Sequence, residues 1–231
     1  MRHSYYSILL TILFFSCSTT RHLPEDETLY TGIERIEYVN DSALKHTEMA
    51  WDEVKAALAC PPNNAIFSSS SHRWPFPFGL WTYNAFVNRQ KGIGKWIFNT
   101  FASEPVYLSA VNPDVRSKVA TNLLHDYGLF RGQVTDEIMP QKIPRQEKIS
   151  YRVDAGHLFT LDSIQYRRFP WVADTLIRST MKERLLKADA PFSVVQLESE
   201  RNRLSSLFRN NGYYYYRSNY ITFRADTIQQ P

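Results

Sequence analysis

The chain carries one pattern twice, and that repetition limits its possible folds more than any other feature. Ile33-Glu-Arg-Ile36-Glu-Tyr38 matches Leu161-Asp-Ser-Ile164-Gln-Tyr166 at an offset of 128 residues. Ala120, Leu123, Leu124, Gly128 and Phe130 match Leu204, Leu207, Phe208, Gly212 and Tyr214 at an offset of 84. Internal similarity of this kind marks one supersecondary unit used more than once. The offsets differ by 44 residues, so the first copy should hold an insertion of about that size between its opening strand and its second helix.

Each copy follows the same plan. In the first, residues 47–59 read as a helix. Asn112 is an N-cap candidate with Pro113 at the first helical position, where its missing N–H costs nothing. Val115, Val119, Leu123, Leu124 and Tyr127 then form an apolar stripe at helical spacing, and Gly128 stops the helix. Residues 134–138 suit a strand. Ile149, Tyr151 and Val153 alternate with polar residues, as in a half-buried strand. In the second copy residues 158–166 read as a strand and 173–187 as a helix. Ser193 and Gln196 form a capping-box pair ahead of Leu197, Leu204, Leu207 and Phe208. Asn211-Gly212 ends that stripe, and residues 213–226 are strand-like. No counterpart of the first copy's closing strand is expected before Pro231. The fold class expected is α+β: tandem β-α-α-β-β units over 29–156 and 157–231, the second lacking its last strand.

The 231 residues allow one or two domains. Aromatic residues make up 14% of the chain, and the 14 tyrosines favour strands and surface contacts over a helical bundle. A net charge of +4 without a dense basic stripe argues against nucleic acid as a partner.

The first 16 residues look like an export signal. Met1-Arg2-His3 gives a positive start, and Ile8, Leu9, Leu10, Ile12, Leu13, Phe14 and Phe15 give an apolar run. That run is shorter than the ~20 residues needed to span a bilayer. Leu13-Phe14-Phe15-Ser16-Cys17 resembles the lipobox of bacterial lipoproteins, in which the signal is cut before the cysteine and the thiol carries a lipid such as palmitate. The resemblance makes Cys17 the lipid-attachment residue, although Phe14 stands where leucine is usual. Residues 17–28 would be a polar tether. With Cys17 acylated, Cys60 reads as an ordinary half-buried thiol; otherwise a disulfide between the two is conceivable in an oxidising compartment.

The insertion, at about 60–104, is aromatic-rich. No acidic residue occurs from Val54 to Ser103, whereas Lys55, Arg73, Arg89, Lys91 and Lys95 are cationic. Two readings stand: a long loop packing its aromatics on the domain, or a surface meeting a partner or anionic lipid headgroups. On the second, Trp74, Phe76, Phe78, Trp81, Arg89, Lys91, Lys95 and Trp96 are the contact residues.

No catalytic constellation is expected. The six histidines lack metal-ligand spacing. Gly92-Ile93-Gly94-Lys95 lacks the spacing and the Ser/Thr of a phosphate loop, and there is no G-x-S-x-G. The expectation is a binding protein with no cofactor and no metal.

An exported, repeated strand-helix-helix-strand-strand unit resembles the polypeptide-transport-associated (POTRA) domain. Cys17-Ser-Thr-Thr-Arg-His-Leu-Pro24 running into Leu29-Tyr-Thr-Gly32, Gly79-Leu-Trp-Thr-Tyr-Asn84, Glu104-Pro-Val-Tyr-Leu-Ser109, and Pro191-Phe-Ser193 with Glu200-Arg201 and Asn211-Gly-Tyr-Tyr214 are similar to the lipoprotein branch of the BamA/TamA superfamily. The resemblance implies periplasmic POTRA domains that assemble or translocate outer-membrane proteins. It implies as partners unfolded outer-membrane clients, an inner-membrane-spanning assembly protein, and the outer membrane through a lipid anchor. Family members continue into a sixteen-stranded β-barrel; at about 10 residues per strand none fits after Asp226, so the expectation is the POTRA portion alone. The alternative is a stand-alone envelope lipoprotein that binds cell-wall glycan or another envelope protein.

Overall fold

The computed structural model describes residues 19–40, 48–65 and 74–226. It is a mixed α/β protein with one three-stranded sheet and several helices. Strand β1 (Leu29–Val39) is followed by helices α1 (Glu48–Leu58), α2 (Phe78–Phe86), α3 (Ile93–Phe101), α4 (Leu108–Val111) and α5 (Pro113–Asp126). Strands β2 (Gln133–Pro140) and β3 (Gln146–Asp154) complete the sheet, and α6 (Trp171–Ser179) and α7 (Val194–Asn210) follow. By contacts the chain divides into two units: Met1–Val39, Asp52–Thr121 and Val134–Asp154 form one, and Asn40–Trp51, Asn122–Gln133 and Ala155–Pro231 the other.

In the first unit the sheet order is β1-β3-β2, with β1 parallel to β3. A parallel pair needs a long crossover, and here it contains the helices. The alternation read in the sequence is realised at the centre: Ile149, Tyr151 and Val153 of β3 are 0%, 1% and 0% exposed. Burying three such side chains stabilises by roughly 6 kcal/mol, comparable to the net stability of a small domain, so β3 is the strand this unit depends on. Arg116 of α5 ties the helices together. Its Nη1 donates to the carbonyls of Ala57 (3.0 Å) and Ala59 (3.1 Å) and its Nε to that of Val111 (2.8 Å). A cation at the end of α1 meets carbonyls that the helix itself leaves unpaired.

This use of Arg116 also corrects the expected stripe of α5. The buried face runs through Ser117, Ala120, Leu124 and Tyr127, and Val115 and Val119 are 54% and 46% exposed. Asn112 has a left-handed φ of 50°, closing α4 while its carbonyl accepts the Arg116 N–H at 3.1 Å.

Residues 19–28, expected as a tether, lie docked on the first unit. Leu23 is 8% exposed and clusters with Leu29 and Leu80. Arg145 donates to the carbonyls of Pro24 and Glu27, and Ser109 to the Glu27 carboxylate at 2.7 Å. Cys17 lies outside the described residues.

The second unit departs from expectation. Residues 158–166 and 213–226 form no strand; the first makes an isolated bridge, Thr160 to Pro191, flanked by backbone bonds from the Leu161 N–H to the Ala190 carbonyl and from the Phe192 N–H to the Phe159 carbonyl, and the second holds a 3-10 turn, Ser218–Tyr220. The sheet order of the first unit supplies the physical reason. The counterparts of β1 and β2 would be the two outer strands, which flank a central strand and do not pair with each other. No counterpart of β3 occurs among the described residues. The helix expected over 173–187 spans Trp171–Ser179; a 3-10 turn, Met181–Glu183, follows, and the Leu185 N–H then donates to the Glu200 carboxylate at 3.0 Å. Helix α7 starts where predicted, with Ser193 extended at φ −152°, but the capping-box hydrogen bond is not formed. Its Leu204 and Phe208 pack with Ala173 and Ile177 of α6 and with Ile221.

Candidate functional site

Two surfaces of the first unit bear on function: an open sheet edge and an aromatic helical hairpin. The edge is β2, which has only β3 beside it. Its alternation can be fixed from two bonds. The Gln141 N–H points across the hairpin to the Gln146 carbonyl (2.9 Å), while the Val134 N–H points away and donates to Thr121 Oγ1 (2.9 Å). In a regular antiparallel strand the Asp136 and Ile138 N–H groups therefore also point away from β3. The opposite edge is partly covered, since Tyr30 N–H donates to the Val106 carbonyl and Leu29 bridges Tyr107.

Beneath the sheet lies a buried polar node. Tyr30 Oη donates to the Cys60 carbonyl at 3.0 Å. The Tyr151 hydroxyl is buried without a hydrogen-bond partner among the described residues. Burial pushes its pKa up to about 12, with Arg116 pulling it down and Asp136 and Cys60 adding to the rise. Burial likewise raises the half-buried Cys60 thiol, against the pull of Arg116.

The insertion is two nine-residue helices, α2 and α3, packed on each other. Small residues permit the approach: a side chain at Gly79 would stand 2.7 Å from Ser103 Cβ. Tyr83 and Phe98 meet between the helices at 5.7 Å, and Lys95 Nζ lies 5.5 Å from the centre of the Phe98 ring. The outer side is apolar and open. Helix α3 buries none of its residues. Trp74, Phe76, Phe78 and Trp96 are 62–64% exposed and Ile93 is 78% exposed. Phe101 meets Phe78 and Trp96 edge-on at 6.4 and 6.2 Å.

Of the contact residues expected from sequence, Trp74, Phe76, Phe78, Arg89, Lys91, Lys95 and Trp96 are exposed. Trp81 is half-buried against Phe76, with its Nε1 buried. The reading of the insertion as core packing therefore holds for Leu80, Tyr83 and Phe98 and fails for the outer rings. Sequence reasoning missed Ile93 and Phe101. Ile93 stands three residues before Trp96, on the same helical face, and that spacing is the signal that would have found it; Phe101 meets Trp96 only through the ring contact.

Sequence reasoning named Glu200 only within a resemblance and did not foresee its burial. This residue is fully buried on α7 and accepts from Arg203 Nη2 (2.6 Å), Tyr166 Oη (2.8 Å) and the Leu185 N–H (3.0 Å). Burial alone would push its carboxyl up, but these donors outweigh it and hold the carboxyl below its ordinary range. Burial and the Glu200 carboxylate raise the Tyr166 hydroxyl. The clue was position: Glu200 falls between Leu197 and Leu204 on the apolar stripe.

Among the described residues no three His, Cys, Asp or Glu side chains converge as a metal site. None of the helices described is long and apolar enough to cross a membrane. No protein-family model, curated protein or solved structure matches the chain.

Proposed function

We propose that this chain is the periplasmic POTRA portion of an outer-membrane protein assembly or translocation factor, held to the membrane by a lipid on Cys17. It binds client or partner polypeptides and is not an enzyme. The observation that carries this reading is the bare β2 edge of a mixed sheet whose unit runs strand, helix, helix, strand, strand, with the α2–α3 hairpin inserted. An incoming extended segment would take the outward N–H and C=O groups of β2 as a fourth strand. Backbone pairing gives affinity without demanding one sequence, which suits clients made of many β-strands. The export-like N-terminus and Cys17 support a periplasmic, outer-membrane location, and the repeat of the helical half supports a second unit related to the first. The clients would be unfolded outer-membrane proteins, with an inner-membrane-spanning assembly protein as partner.

The test is Ile138→Pro. This replaces an outward N–H on an edge strand, the one setting in which a sheet tolerates proline. Titrated with a labelled strand peptide from an outer-membrane barrel, the variant should bind at least tenfold more weakly than the parent, with unchanged circular dichroism. Equal binding by the two chains would remove β2 as the docking edge. A cell-wall pull-down that retains the chain while barrel peptides do not bind would favour a glycan-binding lipoprotein.

A further inference from the structure

We infer that the α2–α3 hairpin is a docking face for an anionic phospholipid surface, a second membrane contact beside the acyl anchor; its placement, though not its binding, rests on the lipoprotein reading above.

The face has the chemistry of a bilayer interface. Phe78 of α2 and Trp96 of α3 both meet Phe101, so three exposed rings touch in a row, and Ile93, three residues before Trp96, is exposed as well. Exposed apolar surface of this kind marks an interaction site, and tryptophan is the side chain that favours the headgroup level. The same hairpin carries Arg89, Lys91 and Lys95, all exposed and none in an ion pair among the described residues, with Lys95 over the Phe98 ring. No carboxylate occurs from Val54 to Ser103 to offset them. A protein interface would be depleted of lysine, whereas lysine and arginine flanking an aromatic helix face suit anionic headgroups.

The hairpin also lies close to the anchor point. Leu23 packs with Leu80 of α2, and His22 Nδ1 lies 3.2 Å from Asn84 Oδ1 of the same helix. His22 is five residue steps from Cys17, and an extended chain covers at most ~3.6 Å per step. A lipid on Cys17 would therefore hold α2 within about 18 Å of the bilayer.

The experiment uses the full chain with Cys17→Ser, so that no acyl group contributes, sedimented with phosphatidylcholine vesicles that do or do not contain one third phosphatidylglycerol. The parent should partition onto the anionic vesicles only. R89Q/K91Q/K95Q should lower that partition roughly a hundredfold, at about fivefold per charge, and I93S/W96S at least tenfold. Both variants alter exposed positions, and circular dichroism checks their fold. The N-terminal segment is common to every version, so the differences report the hairpin. Equal partition of parent and variants, or of anionic and neutral vesicles, overturns the proposal and leaves the face to a protein partner. The mass of Cys17 in exported protein is read separately: an unmodified thiol sinks the lipoprotein reading and leaves the vesicle result standing.

Discussion

In the first copy of the repeat, Ala120 and Leu124 are buried on the second helix and Gly128 turns the chain at φ 83°; in the second copy Leu204 and Phe208 are buried and Gly212 turns it at φ 96°. The bridges that pin the approach to each helix, at Tyr107 and Pro191, sit at the same offset of 84. So do Arg116 and Glu200, which tie down the preceding segment by opposite chemistry, one donating to carbonyls and the other accepting from an N–H and a hydroxyl. The strands differ. The first unit builds a sheet, while the second leaves Tyr214 and Tyr215 at 79% and 94% exposed. Helices close their own backbone bonds, so a helical half-repeat can be copied alone. Strands need a neighbour, and the outer two need the one between them.

Removing the centre of the first sheet should break this difference most severely. Tyr151→Pro deletes a ladder bond and a buried ring from β3, at a cost above the ~3 kcal/mol of a proline in a helix interior. Hydrogen exchange should then show β1 as unprotected as residues 162–166. Retained protection in β1 would mean that it does not depend on β3, and the account of the second unit would fall with it.

A smaller effect separates the two tying residues. Glu200→Ala leaves Arg203, Tyr166 and the Leu185 N–H without their acceptor and should destabilise the second unit by about 3–5 kcal/mol. Arg116→Ala removes a donor from carbonyls that water can partly reach, and should cost about 1–3 kcal/mol. Denaturant unfolding followed by exchange in each unit gives both numbers. The Glu200 contribution carries a pH sign. Its carboxyl is lowered on folding, so the stabilisation is complete above the ordinary carboxylate pKa of ~4.3 and is lost as pH falls through the lower folded value. Acid should loosen the second unit of the parent chain, and Glu200→Ala should abolish that acid step.

The mildest test compares the two glycines. A left-handed non-glycine residue costs about 1–2 kcal/mol, and at Gly212 there is open space, so Gly212→Ala should cost only that. At Gly128 the new Cβ would also stand 3.0 Å from Phe192 Cβ and 3.1 Å from the Phe159 carbonyl. Gly128→Ala should therefore lower the melting temperature more than Gly212→Ala.

Local periodicity was enough to place β2, β3, α1, α5 and the start of α7, and to find both helix-ending glycines. It also located the insertion and most of its exposed rings. Each of these depends on neighbours a few residues apart, which a linear pattern records. Tertiary contacts alone decided which face of α5 is buried, because Arg116 must reach carbonyls almost 60 residues away. They also decided that Glu200 is buried, that residues 19–28 are docked, and that residues 158–166 and 213–226 are not strands. A strand exists only through the strand beside it, and whether that neighbour is present is a property of the whole chain and not of the segment.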